Sequence, residues 1–208
     1  DNPAHGLAFD FLADSDAPQA APLLRGHSNG VITINAAEAD DSQREKRRLQ
    51  MHEPYRTLLG HFRHEIGHYY WDRLIRDGAH LEGFRELFGD DREDYAKALE
   101  RHYAEGTPPN WQDHFISEYA TTHPWEDWAE SWAHYLHMTD LLETTVDCGL
   151  SLKPKRPGEP AIAPQPRIST FDAMIDRWYS ITFVMNNLNR GMGLSDGYPF
   201  VLSRPVVE

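Results

Sequence analysis

The run His64-Glu65-Ile66-Gly67-His68 constrains this chain more than any other five residues in it. Its His-Glu-x-x-His order acquires chemical meaning on a helix. There, four residues advance roughly 6 Å along the axis and bring two side chains back to one face. Two imidazoles so placed can share one Zn²⁺ at about 2.0–2.1 Å each, with the intervening carboxylate beside the ion rather than on it. Such a carboxylate suits a general base acting on a water that the metal has acidified. The surrounding sequence predicts the helix. From Tyr55 on, Leu58, Leu59, Phe62, Ile66, Tyr69, Tyr70 and Leu74 form a 3.6-residue stripe that reads as the buried face. His61, His64, Glu65, His68 and Asp72 take other sides of the cylinder. Pro54 fits the first turn and Gly78 the stop. With 12 histidines in 208 residues, the order also arises by chance in roughly one such chain in twenty, so the helical context carries the inference.

Catalytic zinc takes three protein ligands and keeps a position for water, so a third ligand must come from elsewhere. The stretch Thr121 to His134 offers candidates. Thr122 or His123 can cap a helix, Pro124 fits its first turn, and Trp125, Trp128, Trp132, Leu136 and Met138 or Thr139 continue toward a core. Glu126 and Glu130 lie one turn apart, with Ala129 and Ala133 as small neighbours. One carboxylate can bind the metal while the next hydrogen-bonds a ligand histidine and fixes its tautomer. Two acids on a helix are ordinarily a solvated face, but three flanking tryptophans argue against that here.

The stretches LLGHFRHEIGHYYWDRL and ATTHPWEDWAESWAHYLH resemble the bacterial zinc-binding metallopeptidases of the gluzincin type. The resemblance runs across most of the chain, including the HGLAFDFLAD start and the GYPFVL end. More distantly, the Glu126 helix is similar to that of anthrax lethal factor in its Tyr-x6-Glu-x3-Glu order. The resemblance implies His64, His68 and Glu126 as ligands of one zinc ion, Glu65 as base, and Glu130 as the acid supporting a ligand histidine. It also implies that Tyr119, seven positions before Glu126, donates a hydrogen bond to the oxyanion. An ordinary half-buried tyrosine is the alternative, and His123, His134 or Tyr135 could take the same role. Full-length relatives tend to carry an N-terminal cysteine-rich zinc ribbon. This chain has no such segment, so a missing N-terminal part is expected.

At 208 residues one domain spanning 1–208 is the default. The formal charge of −13 argues against nucleic-acid backbone binding, and the basic run Arg44 to Arg48 reads as a solvated helix face. One cysteine, Cys148, excludes an internal disulfide and a cysteine-based structural zinc site. No apolar run has transmembrane length, and a cytoplasmic location is expected. Oligomeric state is not legible.

Strands are expected at Leu7 to Leu12, at Gly30 to Asn35 and at Tyr198 to Leu202. Helices are expected from about Glu38 to Met51, through His64, from Asp91 to Glu105, through Glu126 to about Val146, and from Ser169 or Thr170 to Gly191. Trp111 to Tyr119 reads as a short helix or turn, and the Pro-rich 153–166 stretch as an extended loop. The fold class is α+β, predominantly helical, a zincin-like metallopeptidase domain with a small sheet beside the metal helix. The function expected is zinc-dependent hydrolysis of peptide or protein substrates. A non-catalytic peptide-binding module with a residual metal site competes. A di-iron carboxylate oxidase competes less well: Glu65 to His68 satisfies its Glu-x-x-His element, but Glu130 to His134 is spaced four apart rather than three. A metal held by His61, His64 and His68 alone would be geometrically strained.

Overall fold

The computed structural model describes residues 6–13, 26–50, 53–155, 157–158 and 170–207. It is α+β and mostly helical. Alternation in β3 (Val31–Asn35) turns Ile32 and Ile34 to one face, and both are buried. β1 (Ala8–Leu12) pairs with β3 in parallel, Ala8 opposite Val31. β2 (Gly26–Ser28) pairs antiparallel on the other side, Gly26 opposite Thr33, so the order is β1-β3-β2. Periodicity did not indicate β2. A two-residue turn joins it to β3, with Asn29 and Gly30 at φ 50° and 84°, a conformation that favours this pair of residue types.

Most expected helices form, with boundaries set by side-chain caps. The helix expected from Glu38 is divided at Asp40 into a 3₁₀ turn (Ala36–Ala39) and α1 (Asp41–Gln50), because the Asp40 carboxylate accepts from the Gln43 amide. α2 (Leu58–Trp71) starts after Pro54: Thr57 caps it, its hydroxyl accepting from the Gly60 amide at 3.0 Å. A π-helical turn, Asp72–Arg76, continues it. α3 (Leu81–Phe88) was not anticipated. α4 (Tyr95–Glu105) begins later than Asp91 because the Asp94 carboxylate accepts from the Lys97 amide. α5 (Pro124–Asp147) carries Glu126, and α6 (Phe171–Gly191) is capped by Thr170.

Two expectations fail for identifiable reasons. Tyr198 to Leu202 is not a strand. The Tyr198 amide and carbonyl are both taken by the Asn186 side chain, at 3.1 and 2.8 Å, and Pro199 has no amide to give. The burial of α2 also departs in part from the expected stripe, of which Leu58, Phe62, Ile66 and Tyr69 are half-buried. Leu59, Tyr70 and Leu74 are exposed, whereas Glu65, Gly67, His68 and Trp71 are buried. Part of the polar side finds partners inside, His64 Nδ1 at Glu130 and Glu65 Oε1 at His61. Of the Pro-rich stretch, residues 156 and 159–166 lie outside the described residues.

The chain forms two compact units, one of residues 1–133 with 202–206 and one of residues 134–201. In the first, Trp71, Ile75 and Phe84 form a core with Leu81, Phe88, Trp125 and Trp128. In the second, Leu142, Met174, Ile175, Trp178 and Ile181 are buried.

Candidate metal centre

α2 presents His64 and His68 to the first turn of α5, which presents Glu126. The approach depends on Gly67, where a Cβ would stand 3.0 Å from Ala129 Cα and 3.1 Å from Trp132 Cβ. Trp128 fastens the same crossing by donating its indole N–H to the Gly67 carbonyl at 2.9 Å.

His64 Nε2 lies 3.1 Å from His68 Nε2 and 3.0 Å from Glu126 Oε2, and the third side of the triangle, His68 Nε2 to Glu126 Oε2, is 3.4 Å. Ligands 2.0–2.1 Å from a tetrahedral ion stand about 3.3 Å apart, so the triangle has the size one zinc requires. Glu126 is buried, and among the described residues its Oε2 has no hydrogen bond of good geometry, only the close imidazole nitrogens of His64 and His68. Leaving a carboxylate oxygen so is costly unless positive charge sits in front of it. Burial works against charge on His64, but hydrogen bonds to Glu126 and Glu130 outweigh it and hold its pKa well above 6.5. Burial likewise opposes the Glu126 carboxylate, but the charges of and hydrogen bonds from both histidines hold it well below 4.5. The pocket's electrostatics therefore favour a cation between these three side chains, and two imidazoles with one carboxylate are a zinc donor set.

Further side chains brace the three. Glu130 Oε1 accepts from His64 Nδ1 at 2.7 Å, and its Oε2 accepts from Ser117 Oγ at 2.6 Å. Tyr95 donates to Glu126 Oε1 at 2.7 Å. His68 lies over Trp125, ring centroids 3.8 Å apart.

Glu65 is 6% exposed and has two unlike oxygens. Oε1 is 3.3 Å from His61 Nε2, whereas Oε2 is buried without a hydrogen bond among the described residues. Burial would raise its pKa, but the His61 hydrogen bond and the nearby histidines lower it, so the group is ionised at neutral pH. β2 passes alongside: a Cβ at Gly26 would stand 3.5 Å from Glu65 Oε2.

A family profile described as "Putative zinc-binding metallo-peptidase" matches residues 1–208. The chain belongs to this metallopeptidase family. Curated relatives from Mycobacterium bovis and Mycobacterium tuberculosis, both described as uncharacterized proteins, are 50% identical over 208 residues, 100% of this chain and 59% of theirs. The chain thus spans about three-fifths of the length of these relatives. No solved structure matches it.

In this member of the metallopeptidase family, His64, His68 and Glu126 come together as a group able to hold a metal ion. Glu130 meets His64, Glu65 lies beside the group, and the Tyr119 ring is 5.9 Å from that of His64. His61 turns to Glu65 instead of joining the ligand group. His123 caps α5 by accepting from the Trp125 amide, and its other nitrogen is 3.1 Å from the Glu93 carbonyl. His134 Nδ1 is 2.6 Å from the Tyr198 hydroxyl, and Tyr135 is exposed. Sequence reasoning missed Tyr95, Ser117, the His61–Glu65 contact and Gly26. Only Gly26 had a signal, since the Asn29-Gly30 pair announces the hairpin that carries it.

Proposed function

We propose that this chain is a zinc-dependent peptidase domain, with His64, His68 and Glu126 holding one zinc ion and Glu65 acting as general base on peptide or protein substrates. The observation that carries this reading is Glu65 itself: an ionised carboxylate between the two proposed ligand histidines, with one buried oxygen unpartnered among the described residues. A purely structural metal site needs no such base. When bound, zinc would supply a Lewis acid that polarises the scissile carbonyl and eases ionisation of water. Glu65 accepts the proton of the attacking water through Oε2 and returns it to the leaving amine, while His61 holds Oε1. Tyr119 donates to the carbonyl oxygen as negative charge develops there. β2 offers an edge to extended substrate backbone, and Gly26 keeps that edge close to Glu65 because it has no side chain to interpose. We place the activity in the cytoplasm, in keeping with a lone cysteine; no helix among the described residues is long and apolar enough to cross a membrane.

The test is cleavage of a diverse peptide library by zinc-loaded protein and its Glu65→Gln variant, matched for zinc by elemental analysis. Wild type should cut, and the variant should be slower by about 10²–10⁴. Silence from both with zinc bound would favour a metal-containing peptide-binding module.

A further inference from the structure

The two oxygens of Glu126 have different surroundings. Oε2 faces His64 Nε2 and His68 Nε2, whereas Oε1 accepts the Tyr95 hydroxyl at 2.7 Å. Tyr95 belongs to α4, 31 residues earlier in the chain, so this contact is made by the fold and not by the metal helices themselves. Its ring stands edge-on against His123 and Trp125, with centroids 5.5 and 5.8 Å away, which aims the hydroxyl at the start of α5.

A carboxylate with both oxygens free can rotate and bind a metal through both. That would fill coordination space which a hydrolytic site needs for water. We propose that Tyr95 is a positioning residue for the metal: by holding Glu126 Oε1 it makes Oε2 the single ligand atom and preserves an open coordination position. Partners one step beyond a metal's ligands commonly act this way, by orienting a ligand and restricting its modes of binding. This inference rests on the metal site of the peptidase reading, and not on the role given to Glu65.

Tyr95→Phe removes one oxygen and keeps the ring that packs on His123 and Trp125. Zinc affinity, measured by competition with a chromophoric chelator, should fall roughly 10–100-fold. The visible absorption of the cobalt(II)-loaded variant should weaken as coordination expands beyond four. In a Glu126→Ala background the same substitution should change zinc affinity by less than about twofold, because Tyr95 acts through Glu126. A folded Tyr95→Phe protein, by circular dichroism and apo melting temperature, with wild-type affinity and cobalt spectrum would overturn the proposal. Equal losses in both backgrounds, as general destabilisation would give, would overturn it too. Wild-type protein that binds neither metal would overturn this inference together with the metal site. Zinc-loaded wild type that cuts no peptide, with the Tyr95 dependence intact, would overturn only the peptidase reading.

Discussion

Glu130 accepts from His64 Nδ1 through one oxygen and from Ser117 Oγ through the other. It therefore holds the Nδ1 proton of His64, so that in the proposed site Nε2 would be the atom that faces the metal. His68 has no equivalent acid: its Nδ1 is buried without a partner among the described residues, and its ring is held by Trp125. One imidazole is oriented by charge and the other by packing. Glu130→Ala should weaken zinc binding roughly 10–100-fold in a chelator titration. Ser117→Ala should cost less, because the half-buried Glu130 carboxylate remains and water can replace the lost donor. A loss from Ser117→Ala as large as that from Glu130→Ala would show that Glu130 cannot hold its orientation alone. Glu126 and Glu130 were legible because a spacing of four on a helix is a statement about one face. Ser117 and Tyr95 were not, since nothing in the spacing of a serine or tyrosine from a later glutamate says that a loop and α4 will meet α5.

Between α2 and α5 the decisive group is a missing side chain. A Cβ at Gly67 would meet Ala129 Cα at 3.0 Å, Trp132 Cβ at 3.1 Å and Ala129 O at 3.3 Å. Alanine in a helix is favoured over glycine by about 1 kcal/mol, whereas overpacking typically costs about 1–3 kcal/mol. The backbone and tryptophan stem of α5 are poorly able to retreat, so the packing term should win. Gly67→Ala should melt lower and bind zinc more weakly. Gly67→Leu should lose zinc, because the helices that carry the proposed ligands must separate. Unchanged zinc content in Gly67→Leu, by elemental analysis of folded protein, would rule out this packing role. Sequence periodicity located α2 correctly and misread part of its buried side. It counts hydrophobicity, and here a glycine, two histidines and a glutamate lie inward while Leu59, Tyr70 and Leu74 stay wet. β2 escaped for a related reason: Gly26-His27-Ser28 is too short and too polar to alternate, although the following Asn29-Gly30 turn marked it.

Across the whole molecule a charge of −13 is distributed so that the one basic run is largely neutralised at home. Arg44 to Arg48 was read as a solvated face, yet two of its arginines turn to Glu38, which is wholly buried. Arg47 and Arg56 donate to Glu38 Oε1 at 2.8 and 2.7 Å, and Arg44 donates to its carbonyl at 2.8 Å. The cluster thus joins the end of the sheet, α1 and the approach to α2. Burial would raise the Glu38 pKa, but hydrogen bonds from Arg56 and Arg47 hold it below 4.5. A carboxyl whose pKa falls on folding stabilises the fold above its unfolded pKa, and that stabilisation is lost as pH drops through the folded value. Glu38→Gln should therefore destabilise metal-free protein at pH 7 by about 3 kcal/mol, the low end for breaking a buried pair, since both guanidiniums keep some water. The gap between wild type and variant should narrow once the pH passes below about 4.5. Urea unfolding in chelator at pH 7 and in steps below pH 4.5 measures both quantities without the separate loss of zinc that histidine protonation brings. A gap of the same size down to the lowest pH would mean that Glu38 acts by shape rather than by charge.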